Sequence, residues 1–199
     1  MALGKQAKVL TDKQCRIVLR HLEESRYPVR DKVMFLLSIK AGLRAKEIAS
    51  ITWAMVTDAN GNVSDHIALP NTASKGKGGG RTIPLNSDLK SALIDHQSRL
   101  GDKAVPQAHI IHSEREKIKG MAVGSITVWF HRLYAGMGFD GCSSHSGRRT
   151  FITKAAHKIT EAGGSLRDIQ QLAGHSDLST TQRYIEGSSQ AKVKVVDLI

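Results

Sequence analysis

Four short segments of this 199-residue chain combine side chains able to handle an anion or a proton. In Ser144-His145-Ser146-Gly147-Arg148-Arg149-Thr150-Phe151, a helix starting near Ser146 would put His145 and Arg148 three residues apart on one side. An arginine fork donates two hydrogen bonds and a histidine donates one or trades a proton, a recurrent way to hold a phosphate. The plainer alternative is a helix-capping histidine followed by solvated arginines. In Leu172-Ala173-Gly174-His175-Ser176-Asp177-Leu178-Ser179-Thr180-Thr181-Gln182-Arg183-Tyr184, Gly174 can end one helix and Ser179 can cap the next. His175 then sits in the turn and Tyr184 about a turn and a half into the following helix, an ordinary place for a half-buried packing residue. Arg44 opens a helix just after Gly42-Leu43 and precedes Glu47 by three residues, the spacing of a weak surface ion pair. Lys75 and Lys77 stand among the glycines of residues 74–80, a cationic loop that reads equally as a solvated turn.

The elements that must position these residues are mostly helical. Thr11 and Gln14 can form a capping box, opening an amphipathic helix with Ile17, Val18, Leu19 and Leu22 on its apolar side. A second helix starts near Pro28 and carries Val33, Leu36, Leu37 and Ile39 up to Gly42, and LRAKEIASI reads as a short third. Between Trp53 and Leu85 the pieces WAMVT, NVSDHIALP and RTIPL, separated by Asn60-Gly61 and the lysine loop, read as a small antiparallel meander of three strands. Helices return at roughly 87–99, 123–135, 146–161, 165–172 and 178–185. The fold class is therefore α+β, a mostly helical domain with one small antiparallel sheet inserted. The expected organisation is an extension over residues 1–10, a domain over 11–187 and an apolar tail over 188–199.

Composition narrows the partners. Twenty-nine Lys and Arg against eighteen Asp and Glu leave a net charge of +11, which points to a polyanion, most simply nucleic acid. No apolar run approaches the roughly 20 residues of a membrane span, and the start MALGKQAKVL lacks a signal-peptide core. Two cysteines, Cys15 and Cys142, make neither a disulfide framework nor a CxxC zinc site. The i, i+3 pair His109 and His112 reads as strand edge among apolar neighbours, so no metal site is expected.

Order and spacing of the segments carry more than any one of them. Gly-Leu-Arg-x-x-Glu-Ile comes first, followed by Ser-Lys ahead of Arg-Thr-Ile-Pro-Leu. Then come His-x-x-Arg-x-Thr-Phe, Leu-x-Gly-His, and a tyrosine nine residues after that histidine. This arrangement resembles the tyrosine recombinase (phage integrase) family from about Leu10 to Tyr184.

The resemblance implies cleavage and rejoining of double-stranded DNA through a covalent intermediate. Tyr184 would attack the scissile phosphate, giving a 3′-phosphotyrosine and a free 5′-hydroxyl. Neither ATP nor a metal is needed, and the chain contains no GxxxxGK[ST] loop. A free phenol has a pKa near 10 and must be activated. Arg44 and Arg148 match the family's guanidinium pair and would clamp the transition-state charge. His145 would assist proton transfer or hold an oxygen, and His175 would donate a hydrogen bond to the phosphate. A hairpin lysine would protonate the leaving 5′-oxygen; Lys75, next to Ser74, is favoured over Lys77, which is nearer the usual distance from Arg81. Lys77, Arg81 and Arg149 are expected to contact DNA. Arg149 stands where the family more often has His, and Ser146-Gly147 replace bulkier residues. Most family members also carry an N-terminal helical domain that embraces the other side of the duplex, expected to be absent here. The resemblance further implies work in a bacterial cytoplasm on phage, plasmid or nucleoid DNA, with the tail after the nucleophile packing on a neighbouring protomer. The rival readings are topoisomerase-like relaxation and a catalytically silent DNA-binding regulator.

Overall fold

The capping box at Thr11 forms as its residue types require. In the computed structural model, which describes residues 6–71, 80–113 and 119–184, the Gln14 N–H donates to Thr11 Oγ1 at 3.2 Å. The Thr11 N–H returns a bond to Gln14 Oε1 at 2.9 Å. Helix α1 (Asp12–Glu23) then buries Cys15, Val18 and Leu22, while Ile17 faces outward. Helix α2 (Pro28–Lys40) starts on its proline and buries Val33 through Ile39 without interruption. A helix apolar on all sides must lie at the centre. Accordingly α2 touches α1, the short α3 (Ala45–Ser50), α4 (Ser87–Leu100) and α6 (Ser146–Lys158). Helix α5 (Val123–Gly136) packs on α3 and adds Ile126, Phe130, Leu133 and Tyr134 to the same core.

Two glycines set how closely α6 sits against this centre. At Gly42 the backbone has φ +64°, and a Cβ there would come within 2.4 Å of the Phe151 ring. At Gly147 a Cβ would meet Ser38 Oγ at 2.2 Å, so its lack of a side chain lets α6 press directly onto α2.

Among the described residues the sheet has two strands. Strands β1 (His66–Leu69) and β2 (Arg81–Pro84) pair antiparallel, Ile67 opposite Ile83, and both of those side chains are buried. The piece expected as a first strand makes a 3₁₀ turn, Trp53–Met55, and touches its neighbour through one bridge, Thr57 to Val63. The reason lies some fifty residues downstream: the Trp53 and Ala54 N–H groups donate to the carbonyls of Ala108 and Pro106 at 3.1 and 2.8 Å. That pairing buries the indole of Trp53 completely and turns the chain away from β1. His109 and His112 each sit in an isolated bridge, to Thr52 and Gly120, close to the strand edge expected of them. Among the described residues no helix is long and apolar enough to cross a membrane.

Helices α7 (Leu166–Ala173) and α8 (Leu178–Gln182) complete the order. Ser165 and Asp168 form a second capping box, Gly174 closes α7 in the left-handed region, and Asp177 caps α8 where Ser179 was expected. Ile152, Ile169 and Ala173, with Phe151 and Tyr184 against them, form a small apolar cluster of their own between α6 and α7.

Candidate active site

Glu47 organises the site. Its side chain is 1% exposed, and its carboxylate accepts from Arg81 Nη1 and Nη2 at 2.8 and 3.1 Å, from Arg44 Nη1 at 3.0 Å and from the Arg44 backbone N–H at 2.7 Å. Burial alone would raise the Glu47 pKa, but the Arg81 hydrogen bonds and charge, then those of Arg44, outweigh it and hold the carboxyl below its ordinary range. The pair that spacing suggested at the surface is thus an interior three-residue network, with β2 supplying the third member.

Arg148 arises in the first turn of α6 and is almost entirely buried. Its Nη1 donates to the Gly42 carbonyl and its Nη2 to the Ala173 carbonyl, both at 2.7 Å. The guanidinium therefore straddles the turn before α3 and the end of α7. Burial, then the charges of Arg44 and Arg81, push its pKa down to about 9, which leaves it charged at neutral pH. Arg44 reaches the same turn, donating through Nη2 to the Gly174 carbonyl at 3.3 Å. Two guanidinium groups bond the Glu47 carboxylate and Arg148 adds a third positive charge nearby, an excess that an incoming anion would relieve.

His175 lies beside this positive cluster, its ring stacked on that of Tyr184 with centroids 5.8 Å apart and planes 20° from parallel. Burial, then the charges of Arg148, Arg44 and Arg81, lower its pKa to about 4, so the imidazole is neutral at pH 7. Tyr184 follows α8 rather than lying within it, its N–H donating to the Thr181 carbonyl at 3.0 Å. His145 caps α6 from an exposed position, its N–H donating to Ser143 Oγ at 3.3 Å. An open cleft of about 420 Å³ runs between His145, Arg148, Arg149, Arg183 and Tyr184.

The structure thus gathers Arg44, His145, Arg148, His175 and Tyr184 from three separate segments into one neighbourhood. Arg149 lines the same cleft and donates to the Ala7 carbonyl at 2.8 Å. Arg81, expected at DNA, is committed to Glu47 behind the cleft. Lys75 and Lys77 lie outside the described residues, as does the apolar tail. Glu47's central role and the proximity of Arg183 were not anticipated; the signal for Glu47 was its fixed place three residues after Arg44.

The phage integrase family profile matches residues 8–190. The chain belongs to the phage integrase family. Tyrosine recombinase XerC of Xanthomonas campestris pv. campestris (strain B100) is 31% identical over 170 residues, covering 85% of this chain and 48% of that protein. XerC of Pelobacter propionicus is 29% identical over 177 residues, 88% of this chain and 53% of the other. The chain therefore spans about half the length of these curated relatives. Among solved structures, the Tn1549 transposon integrase in complex with circular intermediate DNA superposes with a TM-score of 0.72 at 20% identity, over 98% of this chain and 68% of that one. XerA recombinase gives a TM-score of 0.71 at 19% identity, over 97% and 65%. Such identities establish a shared fold. In this integrase-family domain the motif residues that the structure describes converge on the turn formed by Gly42 and the end of α7.

Proposed function

We propose that this chain carries the catalytic machinery of a site-specific DNA recombinase, which cleaves and rejoins double-stranded DNA through a 3′-phosphotyrosine at Tyr184. The observation that carries this reading is the stacking of the Tyr184 phenol on His175 at the edge of a cleft walled by Arg148. The phenol oxygen attacks phosphorus, the bond from phosphorus to the 5′-oxygen breaks, and one phosphate ester replaces another. Negative charge gathers on the non-bridging oxygens in between. Arg148 spends two N–H groups on backbone carbonyls and keeps three of its five for such oxygens. Arg44 is held from behind by Glu47, which fixes its fork without a share of the reaction. His145, at the helix start, takes the phenol proton or holds an oxygen, neutral His175 donates one hydrogen bond, and Lys75 returns a proton to the leaving 5′-oxygen.

The relatives named above are bacterial, and the same reading has this chain act on DNA in a bacterial cytoplasm, several copies assembling on it through residues 188–199. The test is a pool of nicked duplexes with randomised arms, in which the nick lets the short fragment that carries the released 5′-hydroxyl diffuse away. A protein–DNA adduct that survives denaturation is expected from the wild type and none from Tyr184→Phe. Duplex binding without any adduct would instead favour a silent regulator on the same scaffold.

A further inference from the structure

Thr181 is the residue in this neighbourhood that none of the family motif roles above uses. It is completely buried, and its Oγ1 lies 2.9 Å from Nδ1 of His175. Its carbonyl accepts the Tyr184 N–H, so one residue holds both the histidine and the tyrosine. We infer that Thr181 is a positioning residue: its hydroxyl donates to Nδ1 of His175, fixes that ring as the Nε2–H tautomer, and so presents a hydrogen-bond donor to the phosphate while its backbone tethers Tyr184.

The direction of the bond follows from counting protons. A neutral imidazole has one N–H and one lone pair, and a hydroxyl has a single proton to give. Among the described residues Nδ1 is the one hydrogen-bond partner of Thr181 Oγ1. Were Nδ1 protonated, it would donate to the hydroxyl, whose own proton would then be stranded in a site closed to water, a costly arrangement. With Nδ1 accepting, every buried proton has a partner and the remaining N–H is Nε2. The rest of the ring's freedom is already removed. The His175 N–H donates to the Gln170 carbonyl at 3.1 Å, Gln170 Nε2 donates back to the His175 carbonyl at 3.0 Å, and the imidazole is stacked on Tyr184. Which nitrogen carries the proton is the one variable left, and the hydroxyl sets it. Burial, then the charges of Arg148, Arg44 and Arg81, keep the ring neutral, so the tautomer matters at working pH.

The consequence for phosphate rests on the recombinase reading; the tautomer does not. The experiment is therefore made on the full chain without DNA, labelled with ¹⁵N-histidine, the His175 signals being identified by their loss in His175→Gln. At pH 7 the wild type is expected to show Nε2 protonated and Nδ1 bare. Thr181→Val keeps the shape and removes the hydroxyl, and should shift His175 to a mixture of both tautomers; Thr181→Ser should restore the wild-type pattern. A wild-type ring protonated at Nδ1, or a Val variant with an unchanged tautomer, would overturn the inference, and the wild-type measurement stands even where a variant does not fold. On nicked duplexes, adduct formation should fall at least about tenfold in Thr181→Val and recover in Thr181→Ser, a range typical of lost outer-shell support. A chain that passes the tautomer test yet never forms an adduct would refute the recombinase reading and leave this one standing.

Discussion

A carboxylate that accepts bonds from two arginines in a dry setting stabilises the fold only while all three partners remain. Removing one member of such a buried set leaves uncompensated charge, commonly at a cost of about 3–5 kcal/mol. Glu47→Gln is expected to lose an amount of that order in urea unfolding and to release both Arg44 and Arg81. Acid should imitate the substitution. The folded-state pKa of Glu47 lies below its ordinary 4.5, so its stabilisation is present in full above pH 4.5 and is lost as pH falls through the lowered folded value. Between pH 7 and pH 3 the urea midpoint of the wild type should therefore drop further than that of Glu47→Gln. The excess of guanidinium charge predicts a second effect. Inorganic phosphate should raise the melting temperature beyond a sodium chloride control, by about 2.7 kcal/mol of stabilisation at a hundredfold excess over Kd. Arg148→Lys, which lacks the planar fork, should blunt that rise. At this scale Arg44, His145, Arg148, His175 and Tyr184 were legible because chemistry restricts the residue type at each motif position. The interior setting of Glu47 was not, because the residue that completes its network, Arg81, lies thirty-four positions away.

Between elements, the turn at Gly42 does two jobs. Its positive φ and its contact with Phe151 let α6 approach, and its carbonyl holds Arg148. Gly42→Ala should cost about 2–4 kcal/mol, left-handed strain and a forced ring together, and should weaken adduct formation beyond what the lost stability explains. Thr11→Ala, at the cap of α1, should cost only about 1 kcal/mol and leave adduct formation unchanged. Helix boundaries were readable because capping chemistry is local: Thr11 with Gln14, Pro28, and Gly174 each declare one within a turn. The piece WAMVT carries the alternating pattern of a strand, yet its backbone pairs with Pro106 and Ala108. No local signal announces a partner so distant. Tyr184 stands just past α8, which Asp177 rather than Ser179 caps and which ends at Gln182.

Over the whole molecule, the net charge of +11 now has an internal geography. Arg44, Arg81 and Arg148 gather around Glu47 and the end of α7, and the remaining lysines and arginines spread over the rest of the chain. The logarithm of duplex affinity should fall linearly with the logarithm of salt concentration, and Arg149→Ala should make that slope shallower by about one contact. Removal of residues 189–199 should reduce cooperative assembly on DNA in gel-shift titrations; unchanged multimerisation would count against a role for the tail between protomers. The small apolar cluster between α6 and α7 bears on timing. Ile152, Ile169 and Ala173 are its buried members among the described residues, while the far larger core is built around α2. A segment secured by so little apolar burial opens at a lower free energy than the core does. Amide exchange should therefore be fast from α7 through Tyr184 and slow in α2. On the recombinase reading proposed above, Tyr184 can then be withdrawn and presented again many times within the lifetime of one folded molecule, so that strand cleavage becomes a reversible local event rather than a property of the fold at rest.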